Sequence, residues 1–248
     1  TTAKEELYIK VALSPVSIAN AKLNMKAELP GWDFQQTIVE ADKAWNEELN
    51  KIQISTDDNK VKRTFYTALY HTMIAPSDFS DVNGDYRGAD GKMHDKGAFK
   101  NYTTFSLCDT YRAAHPLMTI IHPEKMSDMI NTMLTIYKEQ GKLPVWHLVG
   151  CETNCMVGNP GISVVGDAIL KGYGGFDKEF AYEAMKNSAM LDERGLKYMK
   201  ELGYIPYDKE GEALSKAMEY AIADWSVAQV AKSMGKTEDY EYFLKRSK

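Results

Sequence analysis

From Asp33 to the end of the chain, apolar residues recur at steps of three and four, which is the spacing of amphipathic α-helices. The segment 122–141 shows this best: its methionines, isoleucines and leucine share one face, and Gly141 follows as a stop signal. No fixed repeat length accompanies the helices, so a regular solenoid is not indicated. We therefore predict a mainly α fold of eight or nine paired helices, as an α/α toroid or a bundle. The predicted segments are residues 33–53, 57–74, 104–119, 122–141, 161–173, 177–190, 193–202, 213–233 and a last helix capped by Thr237.

The N-terminal part of the chain has a different residue pattern. Residues 7–13 are rich in β-branched and aromatic side chains and predict a strand, and a helix is predicted over 18–28. Because a strand needs partners, two interpretations stand: an edge strand on a helical domain, or the last strand of a sheet domain cut off upstream. The chain also starts at Thr1 without an initiator Met or a signal-peptide pattern, so we expect a piece of a longer protein.

Charge and cysteine content exclude several classes of protein. The 30 basic and 35 acidic residues give a net charge of −5, which argues against a nucleic-acid binder held by phosphate contacts. No apolar stretch is long enough to predict a membrane span. Three cysteines, an odd number, do not indicate a disulfide framework.

Glu152 is the first candidate for chemistry. It follows the mostly apolar stretch 143–151, where desolvation favours the protonated carboxyl group. A glutamate that is protonated at neutral pH suits a general acid. The alternative is a hydrogen-bonded structural glutamate.

Cys151 and Cys155 flank Glu152. A zinc site would need two more ligands, and His147 alone does not complete one. A cysteine–histidine nucleophile is conceivable. We expect instead that these thiols are buried and structural.

Two further pairs of charged residues have helical spacing. Asp109 and Arg112 are predicted three residues apart on one helix face, where they pair with each other or reach one bound ligand together. Glu219 and Asp224 lie five apart on the 213–233 helix, so at most one of them faces a pocket with Trp225.

The long polar loop over residues 76–101 is of a kind that is usually functional. Its segment 81–85 begins like an EF-hand, but Tyr86 and Lys92 occupy positions that require Gly and Glu. We predict a polar loop with Asx-turns, either structural or lining a polar pocket.

Several longer motifs occur in one order and span essentially the whole chain. Together they resemble the glycoside hydrolase family 92 α-mannosidases of gut Bacteroides-type bacteria. The motifs are FYTALYH (65–71), DVNGDYRG (81–88), YTTFSLCDTYR (102–112), the segment 143–158 with GCETNCMVG, KG (171–172), GYIP (203–206) and EYAIADW (219–225).

The resemblance implies an N-terminal β-sandwich followed by an (α/α)6 barrel, in a secreted or periplasmic enzyme. It implies exo-acting hydrolysis of mannose-containing glycans, of α-1,2 type, with inversion and with calcium as cofactor. Inversion uses an acid and a base whose carboxyl groups stand roughly 6.5–9.5 Å apart. The family's acid falls on Glu152, and the substrate-binding residues carried over are Asp109, Arg112 and Glu219, with Trp146 as a further candidate.

Two departures from the family pattern affect these expectations. Cys108 stands where the family usually has Trp before its Asp-Thr-Tyr-Arg motif, which puts linkage preference in doubt. The Gly-Asn-Asp-rich motif that carries the family's base does not occur before Lys248. We therefore predict a partial (α/α)6 toroid with a short N-terminal β remnant: residues 1–32 as the tail of a sandwich domain with its linker, and 33–248 as the first part of the barrel.

Such a piece is expected to be inactive alone and to expose apolar faces through which it self-associates. Two alternatives remain. One is a non-catalytic helical glycan-binding or interaction module, favoured by the missing base. The other is a different enzyme on an α/α toroid, such as a polysaccharide lyase using Tyr111, Arg112 and His115.

Overall fold

The computed structural model describes residues 7–248, and over this range the chain is mainly helical, as the sequence predicts. None of the helices in this range has the length and apolar character needed to cross a membrane. The helices are α1 (Ile18–Glu28), α2 (Phe34–Leu49), α3 (Asn59–Thr72), α4 (Leu107–Thr110), α5 (Ala114–Ile121), α6 (Met126–Gln140, preceded by the 3-10 turn Pro123–Lys125), α7 (Pro160–Leu170), α8 (Lys178–Ala189), α9 (Leu196–Leu202), α10 (Ala213–Ser233) and α11 (Thr237–Arg246).

Capping residues explain where several helices begin and end. The carboxylates of Asp33, Asp58 and Asp177 accept backbone N–H bonds at the starts of α2, α3 and α8. Gly141 ends α6 with a left-handed φ of 85°, as predicted. Thr237 is not the cap of the last helix, since it is the first residue of α11 and follows Lys236.

Short strands interrupt two segments that the sequence assigns to helix or irregular chain. They are β1 (Ser77–Asp78), β2 (Tyr86–Arg87), β3 (Met93–His94), β4 (Tyr102–Thr103), β5 (Phe105–Ser106), β6 (Trp146–Leu148) and β7 (Cys151–Glu152). They form the antiparallel pairs β1–β4 and β2–β3 and the three-stranded sheet β5–β6–β7. The predicted helix over 104–119 is therefore wrong at its start. Partners from residues 146–147 override the local helical period there.

The predicted strand over residues 7–13 is not formed in the described part of the chain. These residues form no strand, and the apolar side chains of Leu7, Ile9, Val11 and Leu13 are exposed. A strand forms only when a neighbour satisfies its backbone groups, and no described segment pairs with this one. The part of the prediction that concerns residues 1–6 lies outside the described residues.

The main core lies where α6, α7, α8, α10 and α11 meet. Helix α7 is apolar on nearly every side and is buried on nearly every side, as expected for the central helix. Most methionines of α6 and α8 are core residues, as predicted, and Met126, Met133 and Met185 are fully buried. A smaller core joins α9 to the start of α10 through Leu196 and Tyr220.

A buried ion pair joins the last two helices. The Arg246 guanidinium donates to both carboxylate oxygens of Asp224, at 2.6 and 2.5 Å, and to the carbonyl oxygen of Ala189 at the end of α8. Burial raises the pKa of Asp224, and the facing guanidinium opposes that shift.

One face of α10 stays uncovered and exposes Leu214 and Met218. Packed helix pairs with an uncovered apolar face agree with the predicted partial toroid.

Candidate functional site

The three-stranded sheet β5–β6–β7 collects the predicted site residues from distant parts of the chain. Ser106 pairs with Trp146, and His147 pairs with Glu152 across the next ladder. The β6–β7 hairpin turns through Val149 and Gly150, both with positive φ (43° and 79°). The sheet thus places Glu152 one strand away from the segment that leads to Asp109 and Arg112.

The Glu152 carboxylate is held by the backbone of its own hairpin and the loop after it. Its Oε2 accepts the N–H of Val145 at 2.7 Å, and its Oε1 accepts those of Trp146 at 3.0 Å and Asn154 at 2.9 Å. The side chain is half-buried. These contacts match the hydrogen-bonded glutamate that the sequence left open as the alternative, and the acid role stays a prediction.

Three of the five described non-glycine residues with positive φ lie around this sheet, and the other two, Arg194 and Glu212, lie among the helices. Thr104, Val149 and Asn154 have left-handed φ values of 63°, 43° and 50°, although none is glycine. For β-branched residues this conformation is unusual, and each such residue costs on the order of 1–3 kcal/mol. The cations of Lys142 and Arg194 both donate to the Asn154 side-chain oxygen and hold the strained loop. Strain that packing maintains in this way is a feature of functional sites.

Glu219 comes from α10 and joins the site as the partner of Tyr111 and Arg112. The Tyr111 hydroxyl donates to its Oε2 at 2.8 Å, and the Arg112 guanidinium donates to its Oε1. Burial, together with this hydrogen bond, raises the pKa of Tyr111 to about 12. Gly158 passes so close that a Cβ there would lie 2.6 Å from the Glu219 Cβ, so the loop after Glu152 packs directly on Glu219.

Asp109 and Arg112 do not share a helix face, contrary to prediction. Helix α4 ends at Thr110, before Arg112. Asp109 accepts the Ser106 hydroxyl at 2.8 Å, whereas Arg112 turns to Glu219. The local spacing gave no sign of Glu219, because that partner lies 107 residues away. Asp109 is exposed, and the same carboxylate oxygen also accepts the Cys108 thiol.

Glu219 and Asp224 make separate contacts, as expected for residues five apart on α10. Asp224 is buried on Arg246, and Glu219 faces the site. Trp225 is half exposed and lines a cavity of about 180 Å³ together with Tyr111 and His115.

The cysteines next to Glu152 are exposed, so the prediction of buried structural thiols is wrong for Cys151 and Cys155. The hairpin is too short to cover them. Cys108 is half-buried, and burial raises the pKa of its thiol. His147 is buried, its ring nitrogens have no partner among the described residues, and desolvation lowers its pKa.

The segment 81–85 is a polar loop with an Asx-turn, as predicted, and Asp81 also lines a cavity of about 870 Å³ between this loop and α1. Asp81 accepts hydrogen bonds from the side chains of Ser14, Asn20 and Asn24, so it ties α1 to the loop. Asn83 closes an Asx-turn on the N–H of Asp85. The Asp81 carboxylate is therefore committed to protein donors.

A group of potential metal ligands that the sequence did not indicate joins the same loop to α6. Within residues 7–248, Asp90, His94 and Glu139 are the one group of three His, Cys, Asp or Glu side chains arranged so that they could hold a metal ion. Calcium takes six to eight oxygen ligands, so two carboxylates and an imidazole nitrogen do not fit it. The i, i+4 spacing of Asp90 and His94 was only a weak sign of this group in the sequence. The third member, Glu139, lies far along the chain on α6.

Comparison with known proteins places the chain among glycoside hydrolases. The family model described as "Glycosyl hydrolase family 92 catalytic domain" matches residues 20–248. A solved GH92 α-mannosidase from Bacteroides thetaiotaomicron is 44% identical, with a TM-score of 0.90 over 94% of this chain and 32% of that one. The same enzyme is also solved in complex with mannoimidazole.

Two other relatives agree. An inverting GH92 mannosidase of Bacteroides thetaiotaomicron is 32% identical, with a TM-score of 0.87 over 94% of this chain and 33% of that one. A curated protein of Arthroderma benhamiae, named "Uncharacterized secreted glycosidase", is 28% identical over 96% of this chain and 29% of its own length. The chain thus spans about a third of the length of the relatives it matches.

Proposed function

We propose, since this chain belongs to glycosyl hydrolase family 92, that the whole protein is an exo-acting α-mannosidase, of α-1,2 type, that removes mannose from glycans. The observation that carries the proposal is the close match, in sequence and fold, to the mannosidase solved with mannoimidazole. We assign residues 1–32 to the tail of a preceding domain and 33–248 to the first part of the barrel. A secreted or periplasmic location agrees with the name of the curated relative.

In this proposal Glu152 is the general acid. The glycosidic oxygen leaves as a hydroxyl when Glu152 transfers a proton to it, while a water attacks the anomeric carbon from the opposite face. Both Glu152 oxygens accept backbone N–H bonds, so taking up the proton exchanges one of these contacts. The remaining N–H donors keep the carboxyl group in position. We assign the base that activates the water to a part of the protein outside this sequence.

The other assigned residues bind the sugar. Arg112 and Glu219 form an ion pair with the guanidinium more than half exposed, so donors and an acceptor lie side by side for neighbouring hydroxyl groups. Asp109 offers a further acceptor, and Trp146 an aromatic wall. The resemblance also implies calcium, but the described carboxylates do not form the oxygen-rich set that calcium needs, so no step here uses it.

A non-catalytic glycan-binding module is the second candidate. The observation that favours it is that both Glu152 oxygens are engaged with the backbone. In that case the Arg112–Glu219 pair would bind mannose without hydrolysis.

The test is turnover by the full-length protein and its Glu152→Gln variant. Removal of a general acid is expected to cost about 10²–10⁴-fold on a mannobiose and much less on a mannoside with a strongly acidic leaving group. Binding of mannoimidazole should persist, which shows that the variant is folded. The matched control is Glu179→Gln, because Glu179 is an exposed glutamate at the start of α8 whose ion-pair partner is Lys236.

Unchanged turnover in Glu152→Gln contradicts the acid assignment. Mannose binding without turnover in the unmodified full-length protein supports the binding module instead. Release of the β-anomer, followed by NMR before it mutarotates, is the expected sign of inversion.

A further inference from the structure

The group of Asp90, His94 and Glu139 lies where the β2–β3 hairpin meets the end of α6. The hairpin pairs Tyr86 with His94 and turns through residues 88–92, so Asp90 lies in the turn, and its carboxylate contacts the His94 ring four residues later. Glu139 reaches them from the last turn of α6. We propose that these three side chains bind one zinc ion, which ties the hairpin to α6.

The separations of the three ligand atoms suit one small ion. The His94 Nε2 lies 3.1 Å from the Asp90 Oδ1 and 3.4 Å from the Glu139 Oε1, and all three atoms lie within 4.8 Å of one another. Ligands about 2.1 Å from a tetrahedral zinc ion stand about 3.4 Å apart. The site therefore needs only small side-chain adjustments to close around an ion.

Gly88 leaves open the point on which the three ligand atoms converge. A Cβ on Gly88 would lie 2.7 Å from the His94 Nε2 and 2.8 Å from both the Asp90 Oδ1 and the Glu139 Oε1. Real Cβ atoms essentially never make such contacts, so any other residue at position 88 would displace the ends of the three ligand side chains. Its φ is not in the left-handed region, so turn geometry does not require a glycine at this position.

Neighbouring groups hold the ligands in orientation, as outer-shell partners do in metal sites. The Ala89 N–H donates to the Glu139 Oε2 at 2.6 Å, and the Tyr86 hydroxyl donates to its Oε1 at 3.3 Å. The Tyr86 ring stacks on the His94 imidazole at 5.0 Å. Glu139 is almost completely buried, whereas a third of His94 is exposed. Solvent thus reaches one side of the site and supplies a water as the fourth ligand.

The donor set selects the class of metal. One imidazole nitrogen and two carboxylate oxygens suit zinc, which accepts nitrogen and oxygen ligands in a four-coordinate site. Magnesium and calcium prefer all-oxygen sites of higher coordination number. Without an ion, the same three side chains form an ordinary hydrogen-bonded histidine–carboxylate group, so the test must separate these two states.

The ion would also stabilise the position of the β6–β7 hairpin, which carries Glu152. The carbonyl oxygens of Arg87 and Gly88 lie 3.4 Å from the Cβ position of Gly150, in the turn that precedes Glu152. Fixing residues 86–94 on α6 therefore fixes the surface on which the β6–β7 turn rests. This inference does not depend on the proposed mannosidase activity.

The experiment is a calorimetric titration of the full-length protein, stripped with a chelator and kept in excess calcium, with zinc. We compare the unmodified protein with His94→Gln, which removes the imidazole ligand, and with Gly88→Ala, which keeps all three ligands and fills the point between them. We expect the unmodified protein to bind zinc at this site, and we expect its zinc affinity to fall about 100-fold or more in both variants. Zinc should also raise the Tm of the unmodified protein and leave that of His94→Gln unchanged.

Two controls keep the result specific. His71→Gln alters a histidine outside the group and should leave zinc affinity unchanged. Cobalt substituted for zinc reports the ligand type, since thiolate ligands add a strong charge-transfer absorption that nitrogen and oxygen ligands lack. That absorption would place the metal on the cysteines and overturn the proposal, as would the absence of a site sensitive to His94→Gln. If Gly88→Ala alone fails to fold, the His94→Gln comparison still decides.

Discussion

Two arginine–carboxylate pairs of the same chemistry stand in opposite surroundings in this molecule. In the helical body, the Arg246 and Asp224 side chains are 6% and 1% exposed. Beside the three-stranded sheet, those of Arg112 and Glu219 are 56% and 18% exposed. The first pair is enclosed by protein and serves packing, whereas the second keeps donors in contact with solvent, where a ligand can reach them. Burial, and not residue type, separates a structural ion pair from a candidate binding pair.

The comparison extends to the backbone. The helical body has regular helices and an apolar core, and its stability comes from packing. The sheet region has strands of two or three residues and three non-glycine residues with positive φ. Contacts with the helical body hold such a region in place. Measurements of stability should therefore separate the two regions, with the largest effect at the buried ion pair.

Breaking the buried pair should be far more damaging than breaking the exposed one. Arg246→Leu leaves the Asp224 charge buried and unpaired, so we expect the free energy of unfolding to fall by about 3–5 kcal/mol. Arg112→Leu should change it by only about 0–1 kcal/mol. Urea denaturation of both variants measures the difference. The double change Arg246→Leu with Asp224→Leu should recover much of the loss, and equal effects of the two single arginine variants would contradict the comparison.

His115, on α5 between the two regions, should make the protein sensitive to acid. Desolvation lowers its pKa from 6.5 to about 4, and its ring nitrogens have no partner among the described residues. The unfolded chain binds the proton first, so stability present above about pH 6.5 is lost as the pH falls towards 4, by about 3 kcal/mol. His115→Leu should flatten the stability curve over that range. Parallel curves for the variant and the unmodified protein would show that His115 is not the group responsible.

Relieving strain in the sheet region should stabilise the protein slightly. Val149 is exposed and holds a left-handed φ in a two-residue hairpin turn before Gly150, where Asn-Gly is the favoured pair. Val149→Asn should therefore raise the free energy of unfolding by about 1 kcal/mol. The matched control is Val61→Asn in α3, which should have almost no effect because valine and asparagine have similar helix propensities. A loss of stability in Val149→Asn would mean that the turn is not strained.

Much of the helical body could be predicted from the sequence, and much of the sheet could not. The helices over 126–140, 178–189 and 213–233 follow from apolar spacing, because helical hydrogen bonds join residues four apart and the pattern is local. The strand at Phe105–Ser106 escaped prediction because its partner is forty residues further along the chain. Residues 7–13 show the opposite error. Their composition favours a strand, but no strand forms because no described segment pairs with them.

The ordered motifs and the helical period, both present in the sequence, were enough to determine the family and the mainly α class. Only the tertiary structure decided that Arg112 pairs with Glu219 and not with Asp109, that the backbone of its own hairpin and the following loop holds Glu152, and that Gly88 lies between three potential metal ligands. The physical reason is distance along the chain. Periodicity reports contacts within a few residues, whereas ion pairs, strand pairing and metal ligation join residues whose separation only the packed fold removes.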